Sequence, residues 1–111
     1  MEKYNHNKLV RDRIPEIIKE SGNTYEARVL DDVEYEKELK KKLVEESKEV
    51  SKASQGKILN ELADVLQLIK SISSHYKISF SEVVRNQIEK KKKRGAFSKK
   101  IFLIWSTQPK G

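Results

Sequence analysis

The sequence predicts a mainly all-α fold, an antiparallel helical bundle with a minor two-stranded β ribbon, and three observations carry that prediction. Apolar residues recur every three or four positions over two long stretches, residues 32–54 and 57–76, the period of a helix with one inward face. Helix starts are written into the chain: Asp31 precedes Asp32-Val33-Glu34, and Ser79-Phe80-Ser81-Glu82 has the form of a capping box. Alternation with β-forming side chains is confined to two short segments, residues 25–30 and 100–105. Paired, they would make a ribbon too small to stand alone, so it would have to lie on the helices.

The elements follow in order. Residues 4–13 are short, polar and basic. Ile14-Pro15-Glu16-Ile17-Ile18 then opens a helix with proline in its first turn and an acid near its positive end. Ser21-Gly22-Asn23 stops it. The long helix from Asp31 turns Tyr35, Leu39, Leu43, Val50 and Ala53 inward, and the pattern breaks at Gly56. The next helix carries a broad apolar face (Ile58, Leu62, Val65, Leu66, Ile69, Ile72), which predicts a central position in the bundle. A last helix runs through Val83, Val84 and Ile88 and ends at Gly95-Ala96-Phe97. Phe97 and Trp105 are expected in the core or at a packed edge, and residues 107–111 read as a loose tail.

A chain of 111 residues suits a single domain, residues 1–111. Hydrophobic content of 36% against 37% charged residues is low, so a partner subunit is expected to help bury the apolar stripes. No apolar run is long enough to span a bilayer and no signal-peptide core opens the chain, which predicts a cytoplasmic protein off the membrane. The absence of cysteine excludes disulfides and thiolate metal sites. The formal charge of +7 invites a nucleic-acid reading. No helix-turn-helix, zinc-finger or aromatic-plus-basic signature accompanies it, and scattered lysines are ordinarily solvated. A basic nucleic-acid-binding or interaction module is therefore the minor alternative. His6 and His75 read as surface or capping residues.

The chemistry-bearing pattern is acidic. Glu45-Glu46-Ser47-Lys48-Glu49 and Glu61-Leu62-Ala63-Asp64 place acids three apart on each of two successive helices, with a short connection between. Side chains at that spacing share a helix face, about 5–6 Å apart at Cβ. The short connection folds the second helix antiparallel to the first, so Glu46, Glu49, Glu61 and Asp64 converge on one seam. In so charged a chain, any one such pair is readily a solvated face. Placement argues otherwise: Glu46 fills a slot in the stripe Leu39, Leu43, Val50, Ala53, and Glu61 and Asp64 sit among leucines and valines. Carboxylates crowded at an apolar seam need protons or a cation. An all-oxygen donor set selects a hard ion, above all Mg²⁺ completed by waters and substrate phosphates. On the last helix, Asn86, Lys90 and Arg94 recur every four residues and share a face suited to phosphate oxygens, inside a lysine run that puts cations on every face.

These acids resemble the paired motif of the MazG-like all-α nucleoside triphosphate pyrophosphohydrolases. Asn7-Lys8-Leu9-Val10-Arg11-Asp12-Arg13-Ile14-Pro15 and Arg94-Gly95-Ala96-Phe97 with Ile101-Phe102-Leu103 resemble its branch labelled phosphoribosyl-ATP pyrophosphohydrolase-like. The resemblance implies a helical bundle assembled as a homodimer or homotetramer. It implies cleavage of a nucleoside triphosphate, either canonical or a non-canonical one removed in house-cleaning, to monophosphate and pyrophosphate, with Mg²⁺ or with Mn²⁺ in its place. The histidine-biosynthesis enzyme that acts on phosphoribosyl-ATP is the alternative within the superfamily. By motif position, Glu46, Glu49, Glu61 and Asp64 are implied as metal-binding and catalytic residues, with Glu45 supporting them from behind. Asn86, Lys90 and Arg94 are implied as phosphate contacts, and the Lys8, Arg11, Asp12 motif is assigned to further nucleotide contacts.

Overall fold

The computed structural model describes residues 2–108. Four helices follow one another: α1 (Ile14–Glu20), α2 (Asp32–Lys52), α3 (Ile58–His75) and α4 (Phe80–Arg94). The chain divides into two compact units, Met1–Ile78 and Ser79–Gly111.

In the first unit, the organising feature is the hairpin of α2 and α3. Asp31 caps α2 by accepting from the Glu34 N–H at 2.8 Å, leaving acids in the first turn, where the helix dipole favours them. The connection is residues 53–57, closed by the Lys57 and Ile58 N–H groups donating to the Ser54 carbonyl at 3.0 Å. So short a loop makes the helices antiparallel neighbours. Leu39 and Leu68 are buried where they meet, at 2% and 7% exposure, with Leu43, Val50, Val65 and Ile72 half-buried along the same seam. Past α3, Lys77 adopts φ +59° and the chain doubles back, with the Ile78 N–H donating to the Ser73 carbonyl and the Ser73 hydroxyl to the Ile78 carbonyl.

Two expectations are corrected. Residues 25–30 and 100–105 form no strand among the described residues, so the β ribbon is absent. A strand needs a partner for its ladder of N–H and C=O groups. Residues 25–30 are instead tied to the start of α2 by Arg28, which donates to both Glu34 oxygens at 3.2 and 2.7 Å. Val29 stays exposed, as do Ile101, Phe102, Leu103 and Ile104. The second correction is that Phe97 and Trp105 are not packed but exposed. Nor is α3 enclosed: Leu59, Leu62 and Leu66, with Ala63, form an exposed stripe on the side away from α2. One antiparallel neighbour covers one face of a helix, and α3 has apolar residues on two.

The second unit is α4 with its C-terminal continuation. Ser79 caps the helix by accepting from the Glu82 N–H at 3.3 Å. Gly95 ends it at φ +82°, a conformation that side-chain-bearing residues rarely adopt. None of its residues is fully buried.

Candidate metal centre

The antiparallel hairpin brings the two acidic pairs level with one another near its connecting loop. Oxygens of Glu46 from α2 and of Glu61 and Asp64 from α3 all lie within 4.8 Å of one another. All three residues are half-buried, because Glu46 and Glu61 occupy positions in the interhelical stripes that leucine or valine would otherwise fill. Burial pushes the Glu61 carboxyl above its usual range, and Asp64, Glu46 and Glu49 push it the same way against a smaller opposing pull from Lys57. Three carboxylates at such separations form an oxygen-donor set suited to a hard divalent ion.

Glu49 stands apart from that group. It is exposed on the flank of α2, one turn nearer the loop than Glu46, close enough to act on Glu61 electrostatically but outside the three-oxygen cluster. Glu45 is also exposed and points off the stripe.

The basic residues divide. Arg11, from the irregular segment ahead of α1, donates from Nη2 to Asp64 Oδ1 at 2.7 Å. Lys8 and Asp12 in the same segment are exposed. In the second unit, Asn86, Lys90 and Arg94 are exposed at four-residue spacing along one side of α4. The Arg11–Asp64 pair joins residues 53 apart in sequence. No local pattern announces it; the motif around Arg11 points to nucleotide contacts and not to an acid partner on α3.

The opposite end of the hairpin is differently furnished. His75 stands edge-on to Tyr35 and Tyr76, with ring centroids 5.3 and 5.4 Å away, and its Nε2 lies 3.7 Å from Glu36. Its side chain is only 16% exposed, so His75 is a packing residue here and not the surface or capping residue expected. An open cleft beside it is lined by Tyr35, Gln67, Lys70, Ser71, Ser74 and His75.

Residues 34–96 match the family profile described as the MazG nucleotide pyrophosphohydrolase domain, more than half of the chain. The chain belongs to the MazG family. The match takes in both acidic pairs and all of α4, and it crosses the boundary between the two compact units. Comparison with curated proteins and with solved structures yields no significant match. The all-α architecture agrees with a MazG-like fold, and no helix among the described residues is long and apolar enough to cross a membrane.

Proposed function

We propose that this MazG-family chain is a Mg²⁺-dependent nucleotide pyrophosphohydrolase, Mn²⁺ serving in place of Mg²⁺, that cleaves a nucleoside triphosphate between its α- and β-phosphates. The observation that carries this reading is the convergence of Glu46, Glu61 and Asp64 oxygens from two helices within 4.8 Å. The donor set fits the ion: oxygens only and half-buried, with burial first and the neighbouring acids second holding Glu61 above its usual range. A bound divalent ion supplies charge neutralisation at the phosphate oxygens and an activated water. The chain's own part is positioning, which dominates in phosphoryl transfer. Glu46, Glu61 and Asp64 would hold the ion, brought together by the antiparallel hairpin. Glu49, exposed at the edge of the cluster, faces solvent where water arrives, and Glu45 adds negative potential behind it. Lys8, Arg11, Asp12, Asn86, Lys90 and Arg94 complete the reading as phosphate and nucleotide contacts.

The family match spanning both compact units supports treating the chain as one catalytic domain. The exposed Leu59, Leu62 and Leu66 stripe supports a homo-oligomer, dimer or tetramer, since apolar helix faces of that kind are ordinarily covered. Removal of non-canonical nucleotides in the cytoplasm is the role this combination suits. Pyrophosphate release from a panel of canonical and modified nucleoside triphosphates, with and without Mg²⁺, tests the proposal. Turnover of at least one member, abolished by chelation, is the expected result. No turnover of any member, with no divalent-ion binding by calorimetry, would overturn it.

A further inference from the structure

We infer that Arg11 is the resident counter-cation of the acid cluster, displaced from Asp64 when a divalent ion binds and then presented to the substrate phosphates. The inference rests on reading Glu46, Glu61 and Asp64 as the cation site. Its own observation is the 2.7 Å bond from Arg11 Nη2 to Asp64 Oδ1, on one of the three carboxylates whose oxygens come within 4.8 Å of each other. One guanidinium therefore stands where three acids leave a charge deficit.

The geometry makes that pair easy to exchange. The side chains are 55% and 41% exposed, and ion pairs so open to water contribute little to stability. Arg11 loses little by moving into solvent. A divalent ion held by Asp64 would stand within a few ångströms of the guanidinium, where like charges repel. Release does not send Arg11 away. Its carbonyl accepts from the Ile14 N–H at 3.0 Å, at the entry to α1, so the backbone stays pinned and only the side chain swings. A guanidinium fork beside a metal-bound nucleotide matches phosphate oxygens two at a time, which an ammonium does not.

The test is calorimetric titration of Mn²⁺ alone into the full chain and into Arg11→Ala, Arg11→Lys and Asp64→Asn, with folding checked by circular dichroism. Arg11→Ala is expected to bind Mn²⁺ roughly three- to fivefold more tightly than the unaltered protein, the range set by the modest worth of an exposed ion pair. Arg11→Lys keeps the competing charge and is expected to bind Mn²⁺ like the unaltered protein, while the KM for nucleotide rises in both Arg11 variants. In the unaltered protein, the Arg11 Nε–H resonance should shift on addition of Mg²⁺. Equal or weaker Mn²⁺ binding by Arg11→Ala, with binding lost in Asp64→Asn, overturns the role of Arg11 and leaves the cation site standing. Absence of Mn²⁺ binding in every protein, unaltered chain included, overturns both.

Discussion

The two ends of the α2–α3 hairpin carry half-buried carboxylates on the same pair of helices, yet their surroundings have opposite sense. At the end away from the loop, Glu36 is held below its usual range, first by a hydrogen bond from Tyr76 and then by Lys40 and His75. Lys40 also lies 5.2 Å from the centre of the Tyr76 ring. At the loop end, Glu61 is pushed up by burial and by three neighbouring acids against a smaller pull from Lys57, and Asp64 is paired with the half-exposed Arg11. An arrangement selected only for stability would resemble the first end at both ends. The second keeps a repulsion that a bound ion would relieve, and perturbed carboxyls of that kind cluster at functional sites.

The largest effect that would expose this difference is on turnover. Asp64→Asn removes a charge from the cluster and is expected to lower nucleotide hydrolysis at least about a hundredfold, because charge stabilisation of several kcal/mol is at stake. Glu49→Gln, outside the three-oxygen group, is expected to cost less, about tenfold. Glu36→Gln, at the other end, should leave turnover unchanged. Steady-state rates at saturating Mg²⁺ make the comparison, and equal losses at Glu36 and Asp64 would erase the functional distinction between the two ends.

Next in size is the effect of Glu61→Gln on stability without metal. A carboxyl whose folded value is raised binds its proton more readily folded than unfolded, so its contribution to stability falls as pH rises from the ordinary glutamate value through the raised one. At neutral pH, ionised Glu61 therefore works against the fold. Glu61→Gln should melt higher than the unaltered protein at neutral pH in the presence of chelator, and the gap should close as the solution is acidified below the glutamate range. With saturating Mg²⁺ the order should reverse, since only the unaltered chain gains the ion's binding energy. Differential scanning calorimetry with and without Mg²⁺ reads all three outcomes.

How much of this was legible in the sequence depends on whether the signal is local. The helices were, because their caps and periods are local: Asp31 and Ser79 cap as their spacing implied, and α2 and α3 end within two residues of expectation. The convergence of Glu46, Glu61 and Asp64 was also legible, since a short loop between two helices leaves few ways to place them; Glu49, expected with them, lies outside the three-oxygen group. The ribbon was not. Alternation in residues 25–30 and 100–105 describes side chains that can pair but says nothing of whether a partner strand is present, and Arg28 anchors the first of them to Glu34 instead. The Arg11–Asp64 bond and the contact of His75 with Tyr35 are invisible for the same reason, being set by tertiary contacts between residues far apart in the chain.

A smaller effect concerns the well-partnered end. Glu36 is depressed, so its contribution is present above the unfolded glutamate value and lost as pH falls through the folded one. Acidification thus loosens the Glu36 end while relieving the Glu61 end. Glu36→Gln is expected to lower the melting temperature at neutral pH and to make no difference in acid, the mirror image of Glu61→Gln. Parallel pH profiles for the two variants would mean that the ends are electrostatically alike.

The smallest expected effect lies just beyond that end, in the turn that follows α3. Lys77 holds φ +59° while its N–H donates to the Ser74 carbonyl at 2.9 Å, and the next residue closes the turn onto Ser73. A left-handed conformation costs a side-chain-bearing residue about 1–2 kcal/mol, and glycine gives back roughly 0.5–1 kcal/mol through its freer unfolded chain. Lys77→Gly should therefore stabilise the protein by about 0.5 kcal/mol, read as a shift in urea midpoint at constant slope, with Mg²⁺ affinity and turnover untouched. Because the turn fixes the far end of α3 and not the acid cluster, a gain in stability accompanied by altered Mg²⁺ binding would show that the two ends are mechanically coupled through α3. A gain without that change keeps them separate, one end closing the fold and the other left free to receive an ion.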